Sequence, residues 1–216
     1  MARFAAQVLR CSSCAISLAP SLSVGLALER GVCINCIKQP PPVNSTAVAV
    51  DYAYPWSELI AQYKFANQPG WACFFAQLLL QVPQAQQAFA ELQTDDLILP
   101  LPLSKERLQT RGFNQAWELA AQLAKQSAAC GQLDHALLLR VKNTQPQTEL
   151  KRQGRLDNVK NAFVVEPLRA RTLKGRRVIL VDDVMTSGAS IFAAAEVLRS
   201  AGAAQIVAIA LARTPQ

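Results

Sequence analysis

Apolar and polar residues recur along the chain with two different periods, and the changes of period mark the elements. Residues 46–54 alternate, with Thr46, Val48, Val50 and Tyr52 on one side, which predicts a strand. Over residues 56–65 the apolar positions Trp56, Leu59, Ile60 and Tyr63 fall at helical spacing, and Pro69-Gly70 ends the segment. Residues 71–82 and 83–92 predict two more helices, the second with Pro83 in its first turn. Residues 97–103 read as an apolar strand whose prolines, Pro100 and Pro102, belong near its end. Residues 113–127 predict a helix with Trp117, Ala120, Ala121 and Ala124 on one face, and residues 136–140 a short strand. A buried strand at 177–181, a helix at 188–200 capped by Ala201-Gly202, and a closing strand at 206–211 complete the pattern. Strands alternating with helices predict an α/β fold with a mostly parallel sheet and right-handed crossovers.

Length and composition divide this pattern into units. A chain of 216 residues holds one α/β domain of about 150 residues and a small appendage. Residues 1–40 carry cysteines and too little apolar mass for a core, and Gln39-Pro40-Pro41-Pro42 reads as a stiff linker. Residues 43–216 form the second unit, with a helical lead-in at 56–92 and a core at 96–216. No apolar run reaches the roughly 18 residues of a membrane span. The first residues lack the apolar core and cleavage site of a secretory signal, so the expected compartment is the cytoplasm.

The net charge of +7 is concentrated. Between Arg140 and Arg177, eleven Lys or Arg face Glu149, Asp157 and Glu166, a local balance of 11 − 3 = +8. Such a block attracts phosphate-rich partners, small or polymeric. Residues 141–161 within it are polar and too long for a routine connection, as expected of a mobile flap over a ligand or of a solvated linker.

The most informative stretch is Val-Ile-Leu-Val-Asp-Asp-Val-Met-Thr-Ser-Gly-Ala-Ser at 178–190. Apolar residues make a strand, Asp182 and Asp183 follow at its carboxyl end, and a short hydroxyl-rich loop leads into a helix. Ligands collect at the carboxyl ends of strands in open parallel sheets. Backbone N–H groups at a helix start hold phosphate, and the hydroxyls of Thr186, Ser187 and Ser190 add donors. Gly188 lets the backbone approach closely. A ribose 5-phosphate fits both ends, with its phosphate in the loop of Thr186, Ser187, Gly188, Ala189 and Ser190 and its diol on the two aspartates, and Val184 and Met185 complete the ligand-binding stretch.

Two other blocks support that ligand. From Pro100 to Ala116 the chain offers Arg107 and Arg111, planar charged forks suited to pyrophosphate, followed by Gly112-Phe113-Asn114-Gln115 at a helix start. Phe113 reads as core and Asn114 as a helix cap. From Thr144 to Phe163 come Thr144, Gln147, Leu150, Arg155 and Asn158, with Lys142 and Arg152 as further cations. At the other end, Cys11-x-x-Cys14 and Cys33-x-x-Cys36 match a structural zinc site of ribbon type, whose metal would supply most of the folding free energy of so small a segment. Cys73 and Cys130 are expected to be buried or inert, and His135 to be structural.

Residues 178–190 resemble the PRPP-binding signature of type I phosphoribosyltransferases, PRPP being 5-phosphoribosyl-1-pyrophosphate. Taken with the cysteine pairs, Pro100, Pro102, Arg107 and Arg111 to Ala116, and Thr144, Gln147, Leu150, Arg155 and Asn158, nearly the whole chain resembles the ComF family, including the GntX-like proteins. A histidine common in that family after the Pro-x-Pro-Leu block is replaced by Ser104. The resemblance implies a zinc-binding head before a type I phosphoribosyltransferase-like domain, acting on PRPP with Mg²⁺ and an acceptor the residues do not name. Asp182 and Asp183 would be the catalytic acids, and the loop with Arg107, Arg111, Arg152 and Arg155 would bind the ligand. It also implies a role in competence, the uptake or use of external DNA, with competence-machinery proteins as partners. Two other roles fit the same residues: a PRPP sensor or adaptor without turnover, and a single-stranded-DNA-binding uptake factor regulated by PRPP.

Overall fold

A computed structural model describes residues 8–18, 31–65, 68–141 and 161–215. A parallel five-stranded sheet runs in the order β1 (Ser45–Asp51), β7 (Gln205–Arg213), β6 (Arg177–Met185), β2 (Leu97–Pro100), β3 (Gln132–Leu133). The central strand β6 is buried on both faces because both alternating sets of side chains meet a core. Val178 and Leu180 join one apolar cluster and Ile179 and Val181 the other, and all four are fully buried.

Helices α2 (Trp56–Phe65), α3 (Trp71–Leu79), α4 (Pro83–Ala90) and α6 (Gln115–Gln126) cover the Ile179 face. Helix α7 (Ala189–Ser200), the cysteine head with α1 (Ile34–Lys38), and an antiparallel ribbon of β4 (Leu138–Arg140) and β5 (Phe163–Val165) cover the other. Cys11, Cys14, Ala15 and Cys36 of the head belong to the same cluster as Met185 and Ala189.

The helices at 56–65 and 83–90 match the apolar spacing, with Pro83 in the first turn. Four features differ from the sequence reading. Residues 136–140 do not add to the main sheet, because β4 pairs only with β5 in the ribbon. The sheet edge is taken by β3, whose two residues are too short to show a period. Helix α5 (Lys105–Arg111) buries no residue, so it has no apolar stripe to read; a Ser104 cap and a left-handed Gly112 define it instead. In α6 the buried face is Ala116, Leu119, Ala120 and Leu123, with Trp117, Ala121 and Ala124 on its flank, so the small residues misled the placement by part of a turn.

Candidate ligand site at the end of the central strand

Strand β2 stops at Pro100, opposite Val181, so β6 runs past it and presents Asp182 and Asp183 at an open rim. The acids stand within the strand, not after it, because pairing with β7 continues to Met185 and Arg213. Successive strand residues point to opposite faces. Asp183, 8% exposed, meets Lys64 Nζ of α2 at 3.0 Å. Asp182 accepts from the Asp183 N–H at 2.8 Å. Burial, and then the charge of Asp183, push Asp182 up to about 7 against the pull of Lys64 and Arg140.

The loop follows directly. Gly188 caps α7 at φ 84°, and a Cβ there would lie 2.6 Å from Met185 Cε and 2.6 Å from Phe192 Cε2. Backbone conformation and space therefore both require glycine. Gly188→Ala should lower stability by about 1–3 kcal/mol, read as a drop in the urea midpoint, and should weaken any anion bound to the loop. Ser187 Oγ accepts from the Ala189 N–H at 3.3 Å, so this hydroxyl supports its own helix. The N–H groups of Ser187 and Gly188 meet no acceptor among the described residues. Asp182, residues 184–186 and residues 188–191 line one cavity of about 20 Å³, while Asp183 and Ser187 do not line it. A larger cavity of about 580 Å³ lies on the β1 edge beside the head, and neither aspartate lines it.

Cations ring the acids. Arg111 Nη1 donates to Gln115 Oε1 at 2.9 Å, and its guanidinium lies 5.0 Å from the Phe65 ring centre. Burial holds Arg111 below its usual range, while Asp183 and Asp182 draw it back up. Arg140, at the end of β4, lies 5.3 Å from the centre of the Phe163 ring. Its burial, and then Arg107, bring it down to about 10 despite Asp182. Lys64 and Arg140 had no signal in the sequence. Lys64 sits in an ordinary amphipathic helix and Arg140 at a strand end, and only the fold carries them to the rim. Arg152, Arg155, Lys142, Thr144, Gln147, Leu150 and Asn158 lie outside the described residues.

Several residues serve structure instead. Ser104 Oγ accepts from the Arg107 N–H at 3.4 Å, and Asn114 caps α6 by accepting from Ala116 N–H at 3.0 Å. Phe113 packs 5.9 Å from Tyr63, and His135 lies edge-on to Trp117 at 4.9 Å.

The Lys64–Asp183 pair carries its own prediction. Without the ammonium, the adjacent carboxylates keep only the arginines around them. Lys64→Met should therefore cost about 2–4 kcal/mol at pH 8 and less at pH 5, where Asp182, pushed up to about 7, holds a proton. Melting curves at the two values check it.

In the head, the sulfurs of Cys11, Cys14, Cys33 and Cys36 all lie within 4.8 Å of one another, and Cys14 to Cys33 is 3.7 Å. Tetrahedral zinc with bonds of about 2.3 Å sets sulfurs about 3.8 Å apart, so the cluster fits such a metal. Cys33 N–H points at Cys11 Sγ at 3.2 Å. Hydrogen bonds from Cys14 and Cys36 drive the Cys11 thiol down, while Cys11 pushes the Cys14 thiol up. Cys73 and Cys130 are exposed, so of the two alternatives, buried or inert, burial does not hold: Cys73 is on the outer side of α3, and Cys130 lies beyond the end of α6.

The sheet, the acidic strand end and the loop define a phosphoribosyltransferase-type domain, and the phosphoribosyl transferase domain family matches residues 108–216. Relatives extend the match to the head. "DNA utilization protein YhgH" of Salmonella typhimurium is 33% identical over 94% of this chain and 90% of its own. "Competence protein F" of Haemophilus influenzae is 34% identical over 84% and 78%, and "Competence protein ComFC" of Bacillus subtilis 34% over 55% and 45%. The chain belongs to the ComF family of phosphoribosyltransferase-domain proteins. Among the described residues no helix is long and apolar enough to cross a membrane.

Proposed function

We propose that the chain binds PRPP at the carboxyl end of β6, transfers its phosphoribosyl group to an acceptor with release of pyrophosphate, and thereby serves DNA utilisation. The observation that carries this reading is the small cavity that Asp182 shares with residues 184–186 and 188–191 at the end of the central strand. The 5-phosphate would sit on the Ser187 and Gly188 N–H groups and the start of α7. Asp182 and Asp183 would take the ribose diol, with Lys64 giving up its hold on Asp183. Their oxygens suit a hard cation held through hydroxyls or water, and Mg²⁺ when bound would supply positive charge against the phosphates of the ligand. Arg107, Arg111 and Arg140, with Arg152 and Arg155, would stabilise the charge that develops on pyrophosphate as its bond to C1 breaks. The acceptor then bonds to C1 of an oxocarbenium-like sugar.

The test is PRPP-dependent pyrophosphate release with a panel of acceptors, run beside a thermal-shift titration. Release with one acceptor supports transfer. Stabilisation by PRPP with every acceptor silent makes the chain a PRPP sensor or adaptor. No stabilisation at all means the site is misassigned.

Direct contact with DNA is a separate component, supported by the +8 charge block and by the names of the relatives. Affinity for single-stranded DNA should fall steeply with salt. If no affinity is measured at low ionic strength, the DNA link must run through partner proteins.

A further inference from the structure

We propose that Arg213 is a positioning residue that ties the cysteine head to the phosphate loop, so that metal on the cysteines and a sugar phosphate on the loop strengthen each other's binding. Arg213 ends β7 and is 2% exposed. Its Nε donates to Cys14 O of the head at 3.0 Å. Its Nη1 donates to Met185 O at 3.2 Å, to Thr186 O and to Thr214 O at 3.1 Å. One planar cation thus joins the carbonyl of a cysteine in the metal cluster to the two carbonyls that open the loop.

A buried guanidinium is tolerated only while its donors are satisfied, and its rigid fork fixes the relative positions of its acceptors. The loop carbonyls matter because a trans peptide sets C=O and N–H on opposite sides. Holding Met185 O and Thr186 O turns the N–H groups of Thr186 and Ser187 the other way. The Ser187 N–H is a donor that meets no acceptor among the described residues. Head cysteines also pack in one apolar cluster with Met185 and Ala189, but among the described residues the other hydrogen bonds and ion pairs between head and sheet do not reach the loop. Thr46 N–H donates to Ser12 O at 2.7 Å, Thr46 Oγ1 to Ser13 O at 2.7 Å, and Arg10 pairs with Asp51 at 2.9 Å. Loosening the Cys11–Cys14 turn therefore removes an Arg213 acceptor and relaxes its grip on the loop, whereas an anion on the loop stabilises the turn.

The proposal rests on reading the loop as a phosphate seat, and the test separates the two ideas. Zinc affinity of the full chain is measured by competition with a chromophoric chelator, with and without saturating ribose 5-phosphate. Coupling is reciprocal, so the sugar phosphate should tighten zinc about 5- to 20-fold. In Arg213→Gln the ratio should fall to about one, with Arg213→Lys between the two. An unchanged ratio in Arg213→Gln, or a ratio of one in the wild type that binds ribose 5-phosphate, overturns the proposal. A second arm needs neither variant nor sugar: hydrogen exchange of residues 184–190 in the wild type, before and after chelation. Faster exchange there, with β2 and residues 178–181 still protected, supports the link, and unchanged exchange overturns it. If ribose 5-phosphate fails to bind, the ligand reading falls, and the exchange arm, repeated in Arg213→Gln, decides the role of Arg213: loop exchange that still responds to chelation as in the wild type overturns it.

Discussion

Asp182→Asn should remove the thermal stabilisation expected of PRPP with Mg²⁺ at the proposed site, and should raise the melting temperature of the ligand-free protein at pH 8. Both results follow from a carboxyl pushed from its ordinary 3.8 up to about 7. Between those values the folded state holds a proton that the unfolded state has released. Stability therefore falls as pH rises through that window, and the cost is complete above about 7. Asparagine has no charge to desolvate and none to repel Asp183, so the variant gains most where the wild type loses most. In acid below the ordinary carboxyl range the two melting curves converge.

The same charge is what a diol and its cation require, so wild-type affinity for PRPP should rise with pH through about 7 and the variant should show no binding to titrate. At a hundredfold excess over Kd a ligand stabilises by about 2.7 kcal/mol, or roughly 5–10 °C for a chain of this size. Loss of that whole shift, beside a higher apo melting temperature, separates a site carboxylate from a merely structural one. Asp183→Asn also loses the ligand shift but lowers the apo melting temperature, because Lys64 then keeps its charge without its partner at 3.0 Å. A normal PRPP shift in either variant would sink the site.

Cys11→Ser carries the other large effect. Structural zinc in small modules contributes about 10–16 kcal/mol of binding free energy, which is folding free energy where no core exists to replace it. Cys11 and Cys36 are buried in the cluster that includes Met185, Ala189 and Leu180, so unfolding the head exposes part of the sheet face as well. The variant should lose stoichiometric zinc by elemental analysis, gain protease cleavage around residues 31–40, and melt well below the wild type. Cys73→Ser, at an exposed position outside the cluster, should change none of these. A Cys11→Ser protein with full zinc and unaltered melting would show that the four sulfurs do not form the metal site.

Much of the candidate site was legible because its parts are contiguous. The Val178–Ser190 stretch places strand, acids, loop glycine and helix start in one run, and the cysteine pairs announce themselves by spacing. Local chemistry of this kind survives folding unchanged. Gly188 remains the left-handed turn, and Asn114 the cap that its position proposed. Helix α5 escaped because it buries nothing and hence has no period, and β3 because two residues cannot show one.

Local pattern on its own therefore determined the α/β alternation, the glycine turn that starts α7 and the cysteine cluster, since each depends on neighbours a few residues away. Tertiary structure decided the charges that surround them. Lys64 reaches Asp183 because α2 and β6 pack in one core, Arg140 reaches the rim because β4 left the main sheet, and Arg213 meets Cys14 because β7 ends where the head docks. The physical reason is range. Backbone geometry and metal spacing are set by covalent neighbours, whereas a salt bridge or a buried guanidinium depends on which surfaces the fold presses together, and no periodicity in the chain encodes that.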